Sequence, residues 1–140
     1  MRSDMKGAPG GRKPPASGAG QPTTKQLGDA AEAAAVRHLQ AAGLRVVVRN
    51  YRVPGRGGGE VDLIAQDPSG TLVFVEVRSR ASRRFGGAAA SVGWVKQQRL
   101  VRAAQHYLMR CAVCPPCRFD VLAVENESIE WIQGAFSVSV

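Results

Sequence analysis

Apolar positions along this chain follow two rhythms, one of about 3.6 residues and one of two, and their order predicts helices and strands in turn. Residues 1–24 carry neither rhythm. Gly, Pro and Ser dominate there and large apolar side chains are nearly absent, so the segment cannot offset the entropy of ordering and is expected to be a disordered tail. Thr23 and Gln26 have the spacing of a capping box, and Leu27, Ala31, Ala34, Val36, Leu39 and Ala42 then recur at helical intervals up to Gly43. Leu44 to Tyr51, with the β-branched run Val46, Val47, Val48, predicts a strand. It leads into Pro54-Gly55-Arg56-Gly57-Gly58-Gly59, which lacks the Gly-Lys-Ser/Thr ending of a phosphate-cradling loop and reads as a flexible connection.

Glu60 to Gln66 alternates, with Val61, Leu63 and Ala65 on one face and Glu60, Asp62 and Ile64 on the other. After the turn signal Asp67-Pro68-Ser69-Gly70, Thr71 to Arg80 alternates again, with Val73, Val75 and Val77 facing one way and Leu72, Phe74, Glu76 and Arg78 the other. These two strands predict a hairpin. Val92 to Arg110 returns to the helical period through Val92, Val95, Leu100, Val101, Ala104, Tyr107 and Leu108, with Lys96, Arg99 and Arg102 among its polar positions. Arg118 to Val124 and Ser128 to Ile132 supply two more strands around a turn at Glu125-Asn126-Glu127. The order α-β-β-β-α-β-β predicts an α/β domain over residues 25–136, a mixed five-stranded sheet flanked by helices, with 137–140 as a short C-terminal tail.

Charge adds a partner class to this picture. The chain of 140 residues has a formal net charge of +8, of which Arg2, Lys6, Arg12 and Lys13 against Asp4 place +3 in the tail. A basic balance in both parts favours polyanions, with nucleic acid first among them. No apolar run approaches the roughly 18 residues of a membrane span, and the basic start is not followed by an apolar signal core. A cytoplasmic protein without membrane association is therefore expected. Cys111, Cys114 and Cys117 form a C-x-x-C-P-P-C run, but Val121 stands where an iron-sulfur motif would place a fourth cysteine and His106 is the one nearby substitute. Free thiols in a Pro-rich loop are the simpler expectation.

The candidate chemistry lies in the hairpin. A near-symmetrical register sets Asp62 almost opposite Glu76, with side chains on a face shared by Ile64, Leu72 and Phe74. Two carboxylates on such a surface do not both stay ionised unless a cation lies between them, or one of them takes up a proton. Oxygen-only ligands favour a hard cation, Mg²⁺ or Mn²⁺, with waters and a backbone carbonyl completing its shell. Arg78, two residues beyond Glu76, projects on the same face and suits a phosphate or the charge of an attacked phosphodiester. Glu32 is a further carboxylate from the first helix. The same spacing also fits an ordinary surface ladder in which Glu76 pairs with Arg78 and Asp62 with Arg80, and Asp120 reads as a strand-end polar residue rather than a ligand.

At these residues the sequence resembles a known pattern. Gly59-Glu60-Val61-Asp62-Leu63-Ile64-Ala65 followed by Phe74-Val75-Glu76-Val77-Arg78-Ser79-Arg80 is similar to the core of PD-(D/E)XK nucleases, and specifically to the YraN family, small bacterial proteins similar to archaeal Holliday-junction resolvases. The likeness runs from about Gly28 to Phe136, through Gly28 with Glu32, Arg49-Asn50-Tyr51-Arg52, Phe85-Gly86 with Ser91-Val92, Lys96-Gln97, Arg118-Phe119-Asp120-Val121, and Trp131-Ile132 before Ala135-Phe136. It implies a restriction-endonuclease-like fold, a metal held by Asp62 and Glu76, Glu32 as an auxiliary acid, and position 78 as the catalytic basic residue. The superfamily usually has Lys there; Arg78 presents a planar fork that keeps its proton. Lys96 is a stand-in if it reaches the site, Gln97 can orient a phosphate or water, and Arg99 and Arg102 extend the basic helix toward nucleic acid. The resemblance therefore implies a metal-dependent endonuclease acting on DNA, branched or junction DNA included, for which two-strand cleavage favours a homodimer. The alternative is a non-catalytic nucleic-acid-binding or adaptor protein that keeps the fold.

Overall fold

A computed structural model describes residues 20, 21, 23–79, 92–125 and 128–137. Most of the expected N-terminal tail, Arg80, Phe85-Gly86 through Ser91, the turn residues Asn126 and Glu127, and the last three positions lie outside the described residues. The first helix, α1, spans Thr24–Ala41 and opens on the expected capping box: the Gln26 N–H donates to the Thr23 hydroxyl at 3.1 Å, and the Thr23 N–H donates to the Gln26 side chain at 2.8 Å. It ends before Gly43, whose φ of +93° is the left-handed conformation that glycine adopts without strain. Ala31, Ala35, Val36 and Leu39 form its buried stripe, whereas Leu27 is 46% exposed, so the first turn stands clear of the core despite its helical spacing.

Five strands follow: β1 (Arg45–Arg52), β2 (Glu60–Gln66), β3 (Leu72–Ser79), β4 (Cys117–Glu125) and β5 (Ser128–Phe136), with helix α2 (Trp94–Leu108) between β3 and β4. They form one mixed sheet in chain order, antiparallel throughout except for the β3–β4 pair, whose parallel register requires the α2 crossover. The observed order is the α-β-β-β-α-β-β read from the sequence. The β2–β3 turn is held by Asp67, whose Oδ1 accepts from the N–H groups of Ser69 at 2.9 Å and Thr71 at 3.0 Å, and Gly70 takes φ +96°.

The two faces of the sheet carry separate cores. Ala35, Val36 and Leu39 of α1 pack with Leu63, Ala65, Val73, Val75 and Leu122. Leu100, Val101, Ala103 and Ala104 of α2 pack with Val61, Ile64, Leu72, Phe74, Phe119 and Val121. Alternation in β3 follows the expected faces, but in β2 it breaks: Val61 joins the α2 side with Ile64, while Leu63 and Ala65 lie on the α1 side. A continuous period-two strand would have kept Val61 with Leu63, and the residue at the break is Asp62. In β1 the register shifts between Val46 and Val48, which lets those two valines pack against opposite cores and leaves Val47 39% exposed.

Two further expectations need correction. Helix α2 starts at Trp94, not Val92; Val92 is buried ahead of it, and Val95 is 67% exposed rather than part of the apolar stripe. The Gly-rich segment is not a loose connection: Val53 N–H donates to the Gly59 carbonyl at 2.9 Å, and Gly58 N–H to the Gly55 carbonyl at 3.1 Å. A Cβ on Gly59 would lie 2.5 Å from the Ala103 nitrogen and 2.7 Å from the Arg99 carbonyl, so this backbone rests directly on α2, at an approach glycine permits. Among the described residues no helix is long and apolar enough to cross a membrane.

Candidate functional site

The hairpin ladder runs from Gln66 opposite Leu72 to Leu63 opposite Val75 and stops there. One step further the same register would set Asp62 against Glu76, the position expected of the acidic pair. At this step a side chain takes over from the backbone: the Val77 N–H donates to Asp62 Oδ2 at 2.8 Å. The end of the ladder and the break in β2 thus place a carboxylate where two strands separate, next to Glu76.

Glu76 is 2% exposed, an uncommon place for a carboxylate. Its Oε2 accepts from Arg78 at 3.2 Å and lies 3.5 Å from Lys96 Nζ, so α2 does bring Lys96 to the acidic centre. Its Oε1 is buried and has no hydrogen-bond partner among the described residues. Burial, reinforced by the negative charge of Asp62, pushes the Glu76 carboxyl up to about 7, although Lys96 and Arg78 both act to lower it. An acidic oxygen that is buried, unpartnered and beside a second carboxylate is a donor awaiting a cation or a proton.

The remaining candidates fall around this centre unevenly. Glu32 Oε1 accepts from the Asn50 side chain at 3.4 Å. Asn50 lies in β1 between Arg49, paired with Leu63, and Tyr51, paired with Val61, so it stands beside Asp62 across the sheet. Its φ of +52° is the one positive value among the described non-glycine residues, a conformation Asn tolerates better than most. Glu32 therefore joins the centre's neighbourhood through Asn50, a residue that sequence spacing did not single out as part of the site. The Gln97 side chain donates back to the Val92 carbonyl at 2.9 Å and braces the entry to α2. Arg99 pairs with Glu60 at 2.8 Å, and Arg102 is exposed beside Gly57.

Asp120 is buried for a different reason. Its two oxygens accept from Arg118 Nε at 3.0 and 3.2 Å, Trp131 Nε1 at 2.9 Å and the Gly134 N–H at 3.0 Å, which ties β4 to β5. Its acceptors are filled, as befits a structural carboxylate. Cys111, Cys114 and Cys117 are free thiols, and His106 engages the Tyr51 hydroxyl at 2.6 Å instead of approaching them. Among the described residues no three His, Cys, Asp or Glu side chains converge as a metal site. A cation at Asp62 and Glu76 would thus rely on two carboxylates with water and backbone oxygens, a donor set that suits Mg²⁺, which keeps much of its hydration.

Residues 31–124 match the sequence profile of the uncharacterised protein family UPF0102. The chain is 62% identical over 114 residues to a UPF0102 protein of Albidiferax ferrireducens, covering 81% of this chain and 89% of that protein. It is 58% identical over 122 residues to one from Paracidovorax citrulli, covering 87% and 90% respectively. A Methylibium petroleiphilum relative is 60% identical over 120 residues, across 84% of this chain and 98% of its own length.

Proposed function

We propose that this chain, which belongs to the uncharacterised protein family UPF0102 (YraN), is a metal-dependent endonuclease acting on DNA phosphodiester bonds in the cytoplasm. The observation that carries the proposal is the buried Oε1 of Glu76 beside Asp62, which has no hydrogen-bond partner among the described residues. Asp62 and Glu76 are the residues that would hold a divalent cation, which when bound supplies an activated water and neutralises phosphate charge. Asp62 is oriented for this by the Val77 N–H, and Glu76 by Arg78 and Lys96.

The two cations have distinct work. The guanidinium of Arg78 keeps its charge and presents a fork that matches two oxygens of a phosphate, so it holds the substrate and the charge that develops on it. Lys96 arrives at the same carboxylate from α2 and, as a compact ammonium with rotatable donors, is placed to orient a water or a phosphate oxygen. In this reading Lys96 fills, from a helix, the role that the resemblance gives to a lysine at position 78.

A nicking and junction-cleavage assay with Mg²⁺ and with Mn²⁺ tests the proposal. Wild type is expected to cut, and Asp62→Ala and Glu76→Ala to lose about 100-fold in rate. The alternative of a non-catalytic DNA-binding protein draws on Arg78, which cannot act as a base, and on the basic balance of the chain. It takes over if DNA is bound in a salt-dependent way while all three proteins are equally inert with either metal.

A further inference from the structure

We infer that the cleft between the β1–β2 loop and α2 seats a DNA backbone phosphate that flanks the one at the acidic centre, with Arg52 and Arg99 as its cationic arms. This rests on the nucleic-acid reading above and assigns it a surface. The cleft has a volume of about 450 Å³ and is lined by Arg52, Gly55, Gly58, Gly59, Glu60 and Arg99 among others. Arg52 and Glu60 are partners in the β1–β2 ladder, so the strand pairing fixes both at its mouth.

Charge in the cleft is positive on balance. Arg99 gives one terminal nitrogen to Glu60 at 2.8 Å, which aims the guanidinium, and its other N–H groups have no partner among the described residues. Arg52 is exposed and has no ion-pair partner among the described residues. Arg102 adds a further guanidinium at the loop, within 3.8 Å of where a Gly57 side chain would begin. Gly55 and Gly57 take φ values of +102° and +67°, and nothing lies within 4 Å of where a Gly55 side chain would begin, so the backbone there is open to close approach by an anion.

Position completes the argument. Glu60 precedes Asp62 by two residues of strand, about 7 Å, which is about two nucleotide steps at roughly 3.4 Å of rise each. A strand whose reacting phosphate sits at Asp62 and Glu76 would therefore lay a neighbouring phosphate at Arg52 and Arg99.

Salt dependence of DNA binding tests this without divalent metal, in EDTA, where the acidic centre takes no part. The probe is a short duplex with an unpaired arm, titrated at several salt concentrations against wild type, Arg52→Ala, Arg52→Lys, Arg99→Ala and, as a control on α1, Arg37→Ala. Arg52→Ala and Arg99→Ala are each expected to weaken binding about 5- to 10-fold and to reduce the slope of log K against log salt by about one. Arg52→Lys should restore the slope, and Arg37→Ala should leave it unchanged, with equal thermal midpoints confirming that the variants fold. A wild-type slope in Arg52→Ala, an equal loss in Arg37→Ala, or no salt-dependent binding by wild type overturns the inference. Binding without any cleavage would leave it standing and remove the catalytic reading instead.

Discussion

Asp120→Ala is expected to lower the free energy of unfolding by about 3–5 kcal/mol, the cost typical of breaking a buried charged pair by removing one partner. Four donor contacts from Arg118, Trp131 and Gly134 converge on this carboxylate, which is 1% exposed. Alanine leaves the indole N–H and the Gly134 N–H without acceptors and strands the Arg118 guanidinium, whose other carboxylate contact, Asp67, is 3.5 Å away. Most small domains have only about 5–15 kcal/mol in hand, so the variant should lose a large part of its stability. Asp120→Asn keeps an acceptor oxygen and should cost less. Urea unfolding of the three proteins is the measurement, and a loss below about 1 kcal/mol in the alanine variant would mean that β4 and β5 do not depend on this network.

The second large effect is a pH dependence. Glu76 has its carboxyl raised from 4.5 to about 7, first by burial and then by Asp62. Between those values the folded protein holds a proton that the unfolded chain has released, so stability falls as pH rises through that window and is lowest above it. At about 1.36 kcal/mol per pH unit the fall amounts to about 3 kcal/mol. Glu76→Gln has no such proton to lose. The difference in unfolding free energy between the variant and wild type should therefore shift in favour of Glu76→Gln by about this amount from pH 4.5 to pH 8. A difference that stays flat across the range would mean that Lys96 and Arg78 already neutralise Glu76 in full.

Much of the fold could be read from local chemistry. Thr23 and Gln26 marked the start of α1, Asp67 to Gly70 marked the β2–β3 turn, and the two alternating runs around it gave a hairpin whose register puts Asp62 and Glu76 at one level. These signals are carried by neighbouring residues and need no knowledge of the rest of the chain. What escaped was set by contacts between distant segments. The break in β2 at Asp62 depends on strands parting, for which the sequence has no period to disrupt. Gly58 and Gly59 read as flexible because nothing local shows that α2 lies against them. Asp120 reads from the sequence as a strand-end polar residue, whereas it lies buried within β4, because its donors come from β5 and from Arg118 of its own strand. For Lys96, only the packing of α2 on the sheet decides whether its amine reaches Glu76, and no local signal carries that information. Glu32 remained a matter of resemblance; Asn50, with its left-handed backbone, is the residue that ties it to the neighbourhood.

Without a hard cation gripped jointly by Asp62 and Glu76, the proposed chemistry has no centre. Direct titration of the metal-free protein with Mn²⁺ at pH 8, followed by the paramagnetic resonance of free Mn²⁺, tests this without reference to any substrate. One equivalent should be taken up by wild type, and Asp62→Ala and Glu76→Gln should each abolish that uptake. Stoichiometric binding that survives in both variants, or none in wild type up to millimolar metal, would contradict it.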